Sequence, residues 1–372
     1  MGKLSKSESV LAVVTGSVVL IVSFVTSSSS ACSFPAIYNF GDSNSDTGAD
    51  SVTFGRLPYP NGKTYFGIPS GRNCDGRLII EFIAEKLGLP LLNSYLDSLQ
   101  SNFRHGANFA ASRATIQQVN GQLCEGRYSP LSLGIQLLQF EQLKVRTNEF
   151  YIQANSSQTK VKSDLPRPTD FSKALYTIDC GQNDLHYLVT TMTEDQANAA
   201  IPNITNQFVQ IIEKLYQEGA RKFWIHNTGP IGCLPLMVLY HPKSGDVDEI
   251  GCVKSYNEIA QEFNKQLKYR IYQLSCQLQG VELISVDIYS AKYTLIREAT
   301  NYGFVNPFEY CCGNDNYKCW ERSATNISAC NDPSKYISWD SLHYTEAANY
   351  WIASRIVNGS FSDPPISLEK AC

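Results

Sequence analysis

The chain has 372 residues, 43% of them apolar, and a formal charge of −4 at neutral pH. That is enough apolar material for a sizeable core in one large domain or two ordinary ones. With a sequence pI near 5.8 there is no overall basic field to hold phosphate backbones, so nucleic acid is excluded as an expected partner. Twelve cysteines without a single C-x-x-C pair argue for disulfides in an oxidising compartment rather than for a zinc site.

Residues 1–30 differ from the rest. Lys3 and Lys6 precede an apolar run from Val10 to Val25, and Ser27 to Ser30 stand before Ala31. This pattern predicts a secretory signal cleaved near Ser30 or Ala31, leaving 31–372 as one secreted domain, extracellular or in a cell wall. As an anchor the run falls short of the ~20 residues of a comfortable span and is interrupted by Thr15, Gly16 and Ser17, so no stable membrane span is expected. Acceptor sequons at Asn155, Asn203, Asn326 and Asn358 fit passage through the secretory pathway.

The first element of the mature chain is an apolar run, residues 36–41, that ends in Gly41-Asp42-Ser43. It predicts a buried strand delivering Ser43 at its carboxyl end, where open parallel α/β sheets bind their ligands. A bare Gly-Asp-Ser is more often a turn, and Ser45-Asp46 a helix cap, so the rest of the chain must decide. Residues 55–76, rich in Gly, Pro, Asn and Tyr, predict a long ordered loop. A helix follows, starting at Asp75 and stopped by Gly88 and Pro90, with Leu78, Ile79, Phe82, Ile83 and Leu87 on its inner side. Residues 103–116 read as a short strand and loop. The stripe Leu133, Leu137, Phe140, Leu143 predicts a helix over 132–151, and the polar stretch 153–168 an exposed excursion.

Residues 174–179 predict another strand, closed by Cys180-Gly181-Gln182-Asn183-Asp184, with Cys180 as a buried free thiol. A helix over 196–219, a strand over 222–226, an amphipathic helix over 252–278 and a strand over 281–288 come next. The alternation argues for a parallel sheet with helices on both faces. There is no internal repeat, no low-complexity linker and no sign of a second domain. The Gly-, Asn- and Cys-rich stretch 301–333 predicts a loop region stapled by disulfides, and Thr345 the cap of a last helix over 345–357.

An unassisted serine hydroxyl is a poor nucleophile; it needs a base that titrates near neutrality and a partner that fixes that base's tautomer. Asp340 and His343, three residues apart just before the last helix, supply both for Ser43. Each has an ordinary alternative, a surface histidine and a turn aspartate, and Asn183 could merely close a turn. The elements gain force together. His105, His186, His226 and His241 have no acid at matching spacing and read as structural or surface residues.

The stretches GDSNSDTG, GQND and the D-x-x-H from Asp340 resemble blocks of the GDSL esterase/lipase family, the SGNH hydrolases. FPAIYNFGDSNSDTG, PSGRNCDGRLIIEFIAEKLGLP, FRHGANFA and KYISWDSLHYTEAAN are especially similar to secreted plant members and cover most of the mature chain. The resemblance implies a single three-layer α/β domain of SGNH/flavodoxin-like type that hydrolyses small-molecule or lipid carboxylic esters without a metal or organic cofactor. Ser43 would be the nucleophile, His343 the base and later the acid, Asp340 its orienter. In the family the oxyanion is held by the serine N–H, by the N–H of a second-block glycine and by the third-block asparagine, here Asn183. Counting from Asn108, that glycine falls on Arg113. A backbone N–H survives the change, but a φ above zero would strain arginine, and its side chain could fill the crevice. Besides hydrolysis, the departure leaves open an acyltransferase using the same acyl-enzyme and a non-catalytic binding protein. Oligomeric state, acyl length and alcohol are not legible.

Overall fold

Alternation of bulky apolar residues along each strand builds the centre of the molecule, because successive side chains point to opposite faces of a sheet. Tyr38, Phe40, Tyr176, Ile178, Phe223 and Ile225 pack on one face. Ile37, Leu175, Trp224, Ile284 and Val286 pack on the other. The computed structural model describes residues 33–99, 101–117, 128–153, 163–313, 318–322 and 327–371. The expected signal segment, Asn155 and Asn326 lie outside the described residues; Asn203 and Asn358 are exposed.

The strands are β1 (Ile37–Gly41), β2 (Gly106–Asn108), β3 (Leu175–Asp179), β4 (Lys222–His226), β5 (Glu282–Val286) and β6 (Ser362–Asp363). They form one sheet in the order β2-β1-β3-β4-β5-β6, all parallel except the short β6, which runs antiparallel on β5. Helices α3 (Leu133–Gln153), α4 (Gln182–Thr191), α5 (Glu194–Gln217) and α6 (Lys254–Gln277) bury their apolar stripes on the first face. Helices α2 (Ile79–Lys86), α7 (Ile288–Arg297) and α8 (Glu346–Ile356) cover the second. This is the three-layer α/β domain the sequence predicts. Among the described residues no helix is long and apolar enough to cross a membrane.

Three elements differ from expectation. Helix α2 begins at Ile79 rather than Asp75: the Asp75 carboxylate accepts instead from Thr64 Oγ1 at 2.5 Å and from the Glu346 N–H at 2.8 Å, tying the loop to the start of α8. Glu81 takes over the helix start by accepting from the Leu78 N–H at 3.0 Å. Helices α4 and α7 follow β3 and β5 almost at once, where the turn-like residues Gly181-Gln182-Asn183 and the Asp-Ile-Tyr-Ser run from Asp287 hide a helix start. Asp287 is in fact the cap of α7, its carboxylate accepting from the Ser290 N–H. Disulfides Cys311–Cys330 and Cys312–Cys319 staple the loop region after residue 301, and Cys233–Cys252 closes a second loop. Cys180 is a buried free thiol, as expected.

The end of β1 is a point of close approach in the sheet. A Cβ on Gly41 would lie 2.4 Å from the Asp179 carbonyl oxygen and 2.5 Å from Ser45 Oγ. The buried Gln136 of α3 clamps the same peptide, accepting from the Gly41 N–H at 2.9 Å and donating to the Gly41 carbonyl at 2.8 Å. Gly41→Ala is therefore expected to lower unfolding free energy by about 1–3 kcal/mol. Urea titration should show a lower midpoint at unchanged slope; a midpoint equal to the wild type would contradict the close approach.

Candidate active site

The sheet order places β2 on one side of β1 and β3 on the other, so the chain reverses direction across the sheet between β1 and β3. Ligands of open α/β sheets bind in the crevice at such a point, outside the carboxyl ends of the strands. The turn after β1 carries Ser43, and β3 leads through Cys180 and Gly181 into the first residues of α4, Gln182 and Asn183, on that same rim. The two segments are joined by the backbone, the Asp42 N–H donating to the Asp179 carbonyl at 3.1 Å.

Asp46 fixes the remainder of the serine loop. Its buried carboxylate accepts from the N–H groups of Gly48, Ala49 and Asp50 at 2.7, 2.7 and 3.1 Å, which satisfies the free donors at the start of α1 (Ala49–Phe54). It also accepts from Ser112 N–H at 2.7 Å and Ser112 Oγ at 2.9 Å. One carboxylate thus holds the Ser43 loop and the Ser112-Arg113 loop together.

His343 is oriented by Asp340. The carboxylate accepts the N–H groups of Leu342 and His343 at 2.8 and 2.7 Å, which shapes the turn. It also faces His343 Nδ1 at 2.8 and 3.0 Å, which leaves Nε2 as the free ring nitrogen. Asp340 is buried. Thr345 caps α8 behind them, accepting from the Ala348 N–H. Ser43, Asn183, Arg113 and His343 all line one cavity of about 350 Å³, whose other walls include Leu57, Ile231, Leu234 and Leu236. The structure therefore brings the motif residues to one cavity.

Among the described residues the Ser43 and Arg113 N–H groups donate to no protein acceptor. The Asn183 side chain donates one N–H to the Ala114 carbonyl at 2.9 Å and keeps the other. Arg113 has φ 65°, and no other described residue except glycine has a positive φ. Holding an arginine there costs on the order of 1 kcal/mol, a strain that a glycine would not carry. Its side chain runs to Asp50, with Nη2 to Oδ1 at 3.2 Å.

Behind the serine lies a buried ionic cluster that the sequence reading missed. Asp42, Asp179, His226 and Lys292 are all at least nine-tenths buried. His226 Nδ1 faces Asp179 Oδ2 at 3.4 Å, so this histidine does have an acid partner, supplied by the neighbouring strand rather than by sequence spacing. Burial, and then the charge of Asp179, push the Asp42 carboxyl up to about 7. Burial also raises Asp179, but His226 beside it, with Lys292, holds it below its usual value. Burial lowers the Lys292 ammonium, which sits 4.6 Å from the Tyr344 ring centre, while the two carboxylates pull it back. A lysine on an amphipathic helix reads as a surface residue, and only folding brings it within reach of the Asp42 and Asp179 carboxylates. His186 and His241 also line the cavity, His241 as the exposed residue expected and His186 with Nδ1 3.0 Å from the Tyr128 hydroxyl.

A domain of this topology, with a serine loop, an oriented histidine and a shared cavity at the switch point, belongs to the class of α/β hydrolytic enzymes. Residues 37–356 match the family model described as GDSL-like lipase/acylhydrolase. The chain is similar to a GDSL esterase/lipase of Arabidopsis thaliana, 46% identical over 352 residues, which are 92% of this chain and 90% of that protein. It is 44% identical over 358 residues to a GDSL esterase/lipase of Zea mays, covering 92% and 89%. Among solved structures, a catalytic mutant of an acetylxylan esterase from Geobacillus stearothermophilus aligns at 11% identity and a TM-score of 0.40, over 88% of this chain and 94% of that one. The chain belongs to the GDSL-like lipase/acylhydrolase family, and both of these plant relatives are named as esterases or lipases.

Asp184 of α4 ties this helix to the segment after Arg113, accepting from the N–H groups of Ile116 and Gln117 at 2.9 and 3.5 Å. Burial pushes its carboxyl from 3.8 up to about 7. Folded protein then keeps this proton where unfolded chain releases it, so stability is fully present below the ordinary value and falls as pH rises through about 7. The slope contributed is at most about 1.4 kcal/mol per pH unit. Urea unfolding between pH 4 and 7 should show a shallower loss in Asp184→Asn than in wild type, Asp42 acting alike in both; equal slopes would contradict the buried, protonated carboxyl.

Proposed function

We propose that the chain hydrolyses carboxylic esters through an acyl-enzyme on Ser43, with His343 as general base and acid and Asp340 as its orienter. The observation that carries this reading is the engagement of His343 Nδ1 by a buried Asp340 while His343 and Ser43 face the same cavity. A carboxylate on Nδ1 holds the tautomer whose Nε2 accepts a proton and stabilises the imidazolium that results.

In this reading Ser43 Oγ forms a bond to the ester carbonyl carbon as His343 Nε2 takes the hydroxyl proton. The carbonyl oxygen becomes an oxyanion that accepts from the Ser43 N–H, the Arg113 N–H and the unused amide N–H of Asn183, all free of protein acceptors. Collapse breaks the bond to the alcohol oxygen, which leaves with the proton from His343. Water then attacks the acyl carbon, gives its proton to the same nitrogen, and the acid is released as Ser43 regains its hydrogen. The predominantly apolar walls suit the hydrocarbon part of an ester. Residues 1–30 would direct the chain to the secretory pathway, where the exposed Asn203 and Asn358 could be glycosylated and the disulfides formed.

The test is kinetic. Purified protein should release 4-nitrophenol from short-chain 4-nitrophenyl esters, and Ser43→Ala should lower kcat/KM by at least about 10³-fold. Asn183→Ala should lower kcat by about 10²–10³-fold, the usual consequence of removing one oxyanion donor. Turnover in wild type no greater than in Ser43→Ala would contradict the acyl-enzyme. An undiminished kcat in Asn183→Ala would remove that residue from the oxyanion site.

A further inference from the structure

Two arginines share one carboxylate at the edge of the cavity. Arg113 Nη2 meets Asp50 Oδ1 at 3.2 Å, and Arg322 Nη2 meets Asp50 Oδ2 while its Nε donates to the Gly55 carbonyl at 2.7 Å. Asp50 keeps only 3% side-chain exposure; Arg113 and Arg322 keep 35% and 25%. All three line the same cavity as Ser43 and His343, and Asp50 is the sole carboxylate among the lining residues. Two guanidinium groups therefore face one anion at the rim of the cavity, with the Asp46 carboxylate buried behind Asp50.

A guanidinium has five N–H donors in a planar fork that matches a carboxylate. The contacts above use one on Arg113 and two on Arg322, and the others meet no protein acceptor among the described residues. The same cavity is also lined by Leu57, Leu234, Leu236 and Trp320. Arg113 owes its place to a costly φ of 65°, which puts the cationic side chain beside the reacting centre.

Resting on the esterase reading, we propose that the substrate is an ester bearing a carboxylate on its acyl or alcohol part, held by Arg322 and Arg113 while its apolar portion lies along the leucine and tryptophan wall. The ester bond then sits between this anchor and Ser43. Asp50 keeps the two guanidinium groups side by side and prevents their mutual repulsion from splaying them apart.

The experiment compares kcat/KM within matched pairs, so that the fraction of active protein cancels. One pair, 4-acetoxybenzoate and its methyl ester, carries the charge on the alcohol side. The other, 4-nitrophenyl hydrogen suberate and 4-nitrophenyl octanoate, carries it on the acyl side. The anionic member of at least one pair should be preferred by about tenfold, and that ratio should fall by a similar factor in Arg322→Gln and in Arg113→Gln. Added salt should reduce it, since both groups are partly exposed. A neutral preference in both pairs, or a ratio unchanged in both variants, overturns the proposal while leaving hydrolysis intact. If neither pair is turned over, hydrolysis fails and calorimetry decides the anion site: 4-acetamidobenzoate should bind wild type more tightly than its methyl ester and lose that advantage in Arg322→Gln. Equal binding of the two overturns it.

Discussion

The geometry of the site depends on one buried carboxylate. Asp46 is fully withdrawn from solvent, and five hydrogen bonds from two distant loops converge on it. Burying a carboxylate is costly unless such donors replace its water, so the two loops and the aspartate are mutually required. Its three donors at the start of α1 set the turn after Ser43 and position Asp50. Its two contacts with Ser112 bring the next residue, Arg113, to the rim. The placing of the Ser43 loop, of the Arg113 backbone and of the paired arginines therefore follows from a single local satisfaction of charge.

The sheet supplies the frame on which that local arrangement rests. β1 and β3 meet so closely that only glycine fits at position 41, and Gln136 and the backbone of Asp179 lock the strand end before the serine. Beneath the serine turn, the pairing of Asp179 with His226, and the nearby Lys292, offset the burial of Asp42 and Asp179. Removing one member of such a cluster leaves an unpaired charge in a low-dielectric interior, so the cluster constrains how the turn can move. Catalytic groups need geometry held to fractions of an ångström, and a rigid sheet end serves this better than a free loop.

Much of this was legible in the chain. β1, β3, β4 and β5 are apolar runs bounded by small residues, and a doubly covered parallel sheet buries both faces of such runs. The stripe from Leu133 to Leu143 gives α3, and Thr345 caps α8. Ser43 and the Asp340/His343 pair stood out because each follows or precedes a regular element. The start of α2 was misjudged because Asp75 resembles a cap yet serves a tertiary contact with Glu346. Helices α4 and α7 were hidden by turn-forming residues, and the partnership of His226 with Asp179 arises from strand adjacency, which spacing along the chain does not encode. Arg322 drew no notice in a cysteine-rich loop, since only folding carries it to Asp50. The sequence says only that a φ above zero would strain an arginine at position 113; the φ of 65° itself is visible only in the folded backbone.

The central claim is that folding activates one hydroxyl in this chain. Covalent labelling with a fluorophosphonate, followed by peptide mass spectrometry, asks this most directly, because such reagents react with an activated serine and spare ordinary ones. One adduct is expected, on Ser43, with labelling strongly slowed in His343→Ala. An unlabelled Ser43 in folded protein, or an adduct on another serine with Ser43 untouched, would contradict it.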